Sequence, residues 1–133
     1  MAIKLSETAR NNMLDSLTST VGGSAKIRIY SGTRPANVAA AITGTLLAEL
    51  TCNATFAPAA TGGVLTLNAI SSDSAADNTG TATHFRLWKS DGTTPVMDGD
   101  VGTSGSDLNF STTSFVQDAI ITITSFTVTA GNA

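Results

Sequence analysis

The stretch Thr83-His84-Phe85-Arg86-Leu87-Trp88-Lys89 constrains the fold of this chain more than any other. Phe85 and Leu87 fall on one face of an extended run, and His84, Arg86 and Trp88 fall on the other. Alternation at a period of two predicts a half-buried β-strand, with the Phe and Leu in a core and the opposite face toward water or a partner. Ser90-Asp91-Gly92 supplies a turn, and a second extended run follows over residues 95–101.

The same unit of short run and polar turn recurs along the chain. Residues 25–30 alternate Ile27 and Ile29 with Lys26, Arg28 and Tyr30. Residues 45–51 place Leu46, Ala48 and Leu50 on an inward face, and residues 64–70 do the same with Leu65, Leu67 and Ala69. Phe56 belongs to a short piece before Pro58, and residues 107–111 carry Leu108 and Phe110 on one side. The run 117–129 is the longest, β-branched on both faces at its start, which predicts a central strand whose tail reaches an edge. Short strands at this spacing, without strand–helix alternation, predict an all-β fold: an antiparallel two-sheet sandwich. The Cys and Trp pattern of immunoglobulin domains is missing, so the sandwich is expected to be jelly-roll-like.

One helix precedes the strands. Ser6 is placed to cap it, Glu7 suits its positive end, and Gly22-Gly23 stops it. Leu5, Ala9, Met13 and Leu17 recur every fourth residue, with Leu14 and Val21 extending the stripe. Residues 1–23 are therefore read as a helix and linker packed on the domain or on a neighbour, and residues 24–133 as the β-domain. Two long loops remain, one opening at Ser31-Gly32-Thr33-Arg34-Pro35 and one over residues 71–80. An ordered loop of the first kind is often a contact element.

The charge balance excludes several classes. The formal charge is −3, and the seven basic residues never form a run, which argues against a nucleic-acid partner. Cys52 is the lone cysteine, read as a small buried side chain, since one thiol builds neither an internal disulfide nor a zinc site. Met1-Ala2-Ile3-Lys4-Leu5 has no apolar run of signal-peptide type, and no later run is long enough to span a membrane. A chain made in a reducing cytoplasm, with no membrane partner, is the expectation.

A search for reactive constellations finds no catalytic set. His84 is the only histidine, lies on a strand, and has no Gly-x-Ser-x-Gly motif beside it; it is read as a satisfied or exposed strand residue. Glu7 and Glu49 are the only glutamates, and most aspartates sit beside Gly or Ser in turns, where they cap backbone amides. Asp98-Gly99-Asp100 lacks the third oxygen ligand and closing Glu of an EF-hand loop. The Gly residues lack the Lys-Ser or Lys-Thr of a phosphate loop. No catalytic residue, cofactor or metal is expected. What remains is a rigid, Ser/Thr-rich binding or structural module, with Met13, Leu17, Arg34 and Trp88 as candidate interface residues.

Four stretches together resemble a known family: LSETARNNMLD at residues 5–15, IYSGTRPA at 29–36, TGTLLAEL at 43–50 and MDGDVGTSGSDL at 97–108. They are similar to small virion structural proteins encoded by tailed bacteriophages and prophages. The resemblance implies a capsid cement, or decoration, protein on the capsid surface of the virion. Its expected partners are the major capsid protein and further copies of itself in a homo-oligomer. A tail, neck or fibre-associated adaptor is the second role it implies. No functional residue carries over, because the motifs contain no catalytic signature.

Overall fold

A computed structural model of the protein describes residues 3–131; Met1 and Ala2 of the leading stretch, and Asn132 and Ala133, lie outside the described residues. The order of elements is α1 (Glu7–Val21), β1 (Lys26–Tyr30), β2 (Leu46–Thr51), β3 (Val64–Thr66), β4 (Gly80–Thr81), β5 (His84–Trp88), β6 (Pro95–Gly102), β7 (Leu108–Asn109), β8 (Ser114–Phe115) and β9 (Thr127–Thr129). The fold is β-rich with one helix. Its main sheet has the order β2-β1-β5-β6-β7, and β3-β9 and β4-β8 form two small sheets. All pairs are antiparallel except β6-β7, which is parallel, so the main sheet is mixed where pure antiparallel pairing was expected.

Register explains why the core sits where it does. Ile27 pairs with Leu50 on one side and Leu87 on the other, and Leu87 pairs with Met97. One row further on, Ala48, Ile29, Phe85 and Gly99 line up across the same four strands. These two apolar rows make one continuous face, closed by Phe56, Leu65 and Phe126, with Phe126 edge-on to Phe85 at 5.3 Å between ring centroids. Edge-to-face contact suits the charge distribution of the two rings. A register shift between Ile29 and Tyr30 sets Tyr30 opposite Leu46. Leu47 is fully buried while Leu46 is only half-buried, which replaces the expected inward set of Leu46, Ala48 and Leu50. A bulge shifts the alternation by one residue.

The free edge of β2 is covered. Asp73 accepts the Glu49 amide at 2.9 Å, Asp77 donates its amide to the Leu47 carbonyl at 2.7 Å, and the Asn78 side chain donates to the Leu46 carbonyl at 2.8 Å. The 71–80 loop thus satisfies backbone groups that would otherwise template pairing with another chain.

The helix ends where its sequence signals place them. Ser6 accepts the Ala9 amide at 3.1 Å, and Gly22, with φ of 75°, donates to the Thr18 carbonyl. Its rotation differs from the apolar stripe. Leu14 and Val21 are buried and Leu17 half-buried, but Met13 is 56% exposed. A polar column turns the helix: Glu7, Asn11 and Asp15 accept the amides of Gly62, Gly63 and Ala60 at 3.1, 2.8 and 2.8 Å. Positions four apart share one helix face. Here that face serves the loop between β2 and β3.

The run 117–129 is not a long central strand. Only Thr127–Thr129 forms a strand, paired with β3 at the periphery, and Asp118 takes a positive φ of 68°. Residues 118–121 hydrogen-bond instead to the 71–80 loop, through Asp118 to Ala76 and through reciprocal bonds between Asp73 and Ile121. Ile121, Ile123 and Phe126 are buried, a spacing that breaks the period of two, while Ile120 is 71% exposed. Over residues 117–126 high β-propensity was satisfied by burial, without a ladder.

Candidate functional site

The second face of the main sheet is polar and largely closed, contrary to the expected half-exposed strand. His84 and Arg86 are 0% and 2% exposed, and Trp88 is half-buried. Register sets four charged residues in one row, Glu49, Arg28, Arg86 and Asp98, on β2, β1, β5 and β6. The row reads minus, plus, plus, minus. Two arginines directly opposite would repel, but each is held by its own carboxylate on the outer side.

Arg86 reaches Asp98 through Nε at 2.5 Å and Nη2 at 2.8 Å, a bidentate pair with both side chains 3% exposed. Two of its three remaining N–H donors go to main-chain carbonyls of the 31–45 segment, Nη1 to Ala40 at 2.8 Å and Nη2 to Asn37 at 3.2 Å. The hydrogen bonds to Asp98, outweighing burial, push the guanidinium further up. A buried ion pair is tolerated only where its other polar groups are also hydrogen-bonded, and the loop carbonyls supply two of those bonds.

Arg28 donates to Glu49 at 2.7 Å and to the Gly92 carbonyl at 2.9 Å, and Lys26 stands 3.4 Å from the same carboxylate. Burial alone would raise the Glu49 carboxyl, but the Arg28 hydrogen bond and the charges of Arg28 and Lys26 hold it below the usual range. Trp88 lies beside both arginines, with Arg28 Cζ at 5.2 Å and Arg86 Cζ at 5.6 Å from its ring, and donates Nε1 to the Tyr30 hydroxyl at 3.2 Å. Cation–π contact and the indole hydrogen bond tie the ring to this cluster.

His84 is the least satisfied member. Its ring stacks on Tyr30 at 5.4 Å between centroids, and Nδ1 lies 3.0 Å from the Thr83 hydroxyl. Nε2 is buried with no partner, so the expectation of a satisfied or exposed histidine is corrected: the ring is enclosed with half of its hydrogen-bonding capacity unmet. Burial pulls its pKa below the ordinary imidazole value.

The remaining candidates are scattered. Arg34 lies at the rim of the polar face and pairs with Asp100 at 3.1 Å, both side chains exposed. On the helix, Met13 is exposed and Leu17 packs against the apolar core on the other side of the sheet from Arg86. The four candidates therefore do not form one patch. Asp98 and Asp100 are each engaged by a guanidinium, and among the described residues no group of three or more His, Cys, Asp or Glu side chains is placed to hold a metal ion. Cys52 is buried, and burial pushes its thiol up to about 11. No helix among the described residues is long and apolar enough to cross a membrane.

Sequence reasoning missed Tyr30, Glu49, Asp98 and the loop carbonyls of Asn37 and Ala40. Alternation does put Arg28, Arg86 and Asp98 at non-core positions of their runs. That was the available signal, though it does not say which positions face one another. A shallow cleft of about 310 Å³ lies elsewhere, lined by Phe110, Phe115, Ile120 and Thr124 among others. Comparison with protein-family models, curated proteins and solved structures finds no match to this chain.

Proposed function

We propose that this chain is a non-enzymatic structural protein of a tailed-phage virion. In this reading it is a cement protein on the capsid surface, assembled in the host cytoplasm and bridging major capsid subunits as a homo-oligomer. The observation that carries the reading is a main sheet whose two faces are largely covered by the chain itself. One face is closed by the apolar core and the other by the Arg86–Asp98 pair under the chain's own loop. Large apolar side chains stand outside that body: Met13 on the helix, and Val116 and Ile120 near the shallow cleft. A stiff unit with external apolar contact points suits lattice bridging, where affinity comes from repeated, symmetric contacts.

The finer architecture attached to this reading is a jelly-roll-like two-sheet sandwich. The main sheet is one layer, and β3-β9 with residues 121–126 supplies the other; the Phe85–Phe126 contact between them supports it. The resemblance of the four sequence stretches to virion proteins supports the biological setting.

The test is the copy number of this chain relative to the major capsid protein in purified particles, by quantitative mass spectrometry. A ratio of the order of the capsid subunit supports a cement protein. A few copies per particle support the tail, neck or fibre adaptor, and absence from particles ends the virion reading. Met13→Asp should also weaken retention on particles without changing the fold, because Met13 lies outside the core.

A further inference from the structure

We propose that residues 32–44 form a strap over the polar face of the sheet that acid releases, with His84 as the group whose protonation lets it open. The inference stands independently of the virion reading.

The strap has the shape of a compact surface loop whose ends meet. Ser31 donates its amide to the Thr45 carbonyl at 3.0 Å, closing the neck. Gly32, with φ of 86°, and Gly44 stand back to back there, and a Cβ on Gly44 would collide with the Ser31 carbonyl. Away from the neck the strap is held by Arg86, through the carbonyls of Asn37 and Ala40, and by the exposed pair of Arg34 with Asp100. His84 sits under the neck, with its Cε1 edge toward Gly44.

Hydrogen bonding fixes the tautomer. The Thr83 hydroxyl has one proton, and the Gly32 carbonyl at 2.6 Å takes it. Toward His84 the same oxygen is then the acceptor, so Nδ1 carries the ring proton and Nε2 the bare lone pair. A second proton must therefore arrive at Nε2, which is buried and has no acceptor. A buried cation without a partner is costly.

The surrounding charges do not rescue it. Arg86 on its own strand and Arg34 on the strap oppose a positive ring; Asp98 and Asp100 on β6 favour it. Each of those carboxylates is already paired, Asp98 with Arg86 and Asp100 with Arg34. The stacked face from β1 is Tyr30, a neutral phenol whose pKa burial raises further. Burial therefore dominates, and the closed state holds a neutral ring.

The sign follows from linkage. With the strap open, a hydrated imidazole takes its ordinary value of about 6.5; with the strap closed the value is lower. Between the two values the open state binds more protons, so the opening constant rises as pH falls, by up to about tenfold per pH unit for one proton. Opening uncovers Arg86 and His84 beside Trp88, turning a sealed face into a cationic and aromatic one.

Hydrogen exchange on the full chain between about pH 5 and pH 7.5, corrected for intrinsic chemical exchange, tests this through the Ser31 amide that closes the neck and the Ala39 and Ala40 amides held by Asn37. Strap opening should increase on acidification while β1 amides stay protected, and His84→Phe should flatten the strap's response. A pH-independent strap in the wild type, or β1 amides opening in parallel with it, would overturn the proposal. If His84→Phe does not fold, NMR titration of the wild-type imidazole decides instead. A pKa below the ordinary value with the Nδ1–H tautomer supports the strap, and a value at or above it refutes it.

Discussion

Arg86 and Asp98 stand directly opposite one another on β5 and β6, joined by two hydrogen bonds of 2.5 and 2.8 Å, with both side chains 3% exposed. The pair lies between the sheet and the 31–45 segment and is the point where strand register and loop closure meet. Two loop carbonyls accept further guanidinium hydrogen bonds, so pair and loop depend on one another.

Removing one partner leaves the other charge buried. Asp98→Ala should destabilise the protein by about 3–5 kcal/mol, measured by urea unfolding. The double change Arg86→Met with Asp98→Leu should recover most of that loss, because no charge is then stranded. A double variant as unstable as the single one would mean that the loop carbonyls need the guanidinium more than the carboxylate does.

The rotation of α1 gives a contrast between neighbours. Leu14→Ala removes a buried side chain and should cost about 2–5 kcal/mol. Met13→Ala, on the exposed side, should change stability by no more than about 0.5 kcal/mol. Equal losses in thermal or urea unfolding would place the inward face of the helix elsewhere.

Gly44→Ala tests the loop neck. The added methyl must displace the Ser31 carbonyl, and forcing atoms into a tight site costs about 1–3 kcal/mol. Proteolysis within residues 33–43 should accelerate more than the global loss of stability accounts for.

Glu49 shapes the acid limb of stability. Its folded pKa is lowered, so its contribution is complete above the ordinary carboxyl value of about 4.3 and is lost as pH falls through the folded value. Glu49→Gln should therefore lower stability at neutral pH and flatten the decline below that value. Urea midpoints across the acid range, compared between the two proteins, check the slope.

Local signals determined much of this protein. Ser6 and Gly22 bound the helix because capping needs only neighbouring amides and carbonyls. Residues 26–30, 84–88 and 95–102 became strands because alternation and turn residues act over a few positions. Burial of Phe85 and Leu87 followed from the same period. The other face of β5 was decided by tertiary structure. Periodicity groups His84, Arg86 and Trp88 on one side, but what covers that side comes from residues 37 and 40 and from β6. The helix likewise turned to feed amides at residues 60–63 that its own sequence does not contain. The run 117–129 broke because the 71–80 loop and β3 took its backbone hydrogen bonds. A sequence pattern specifies which side chains share a side, whereas burial and hydrogen-bond partners are set by segments brought together only when the chain closes.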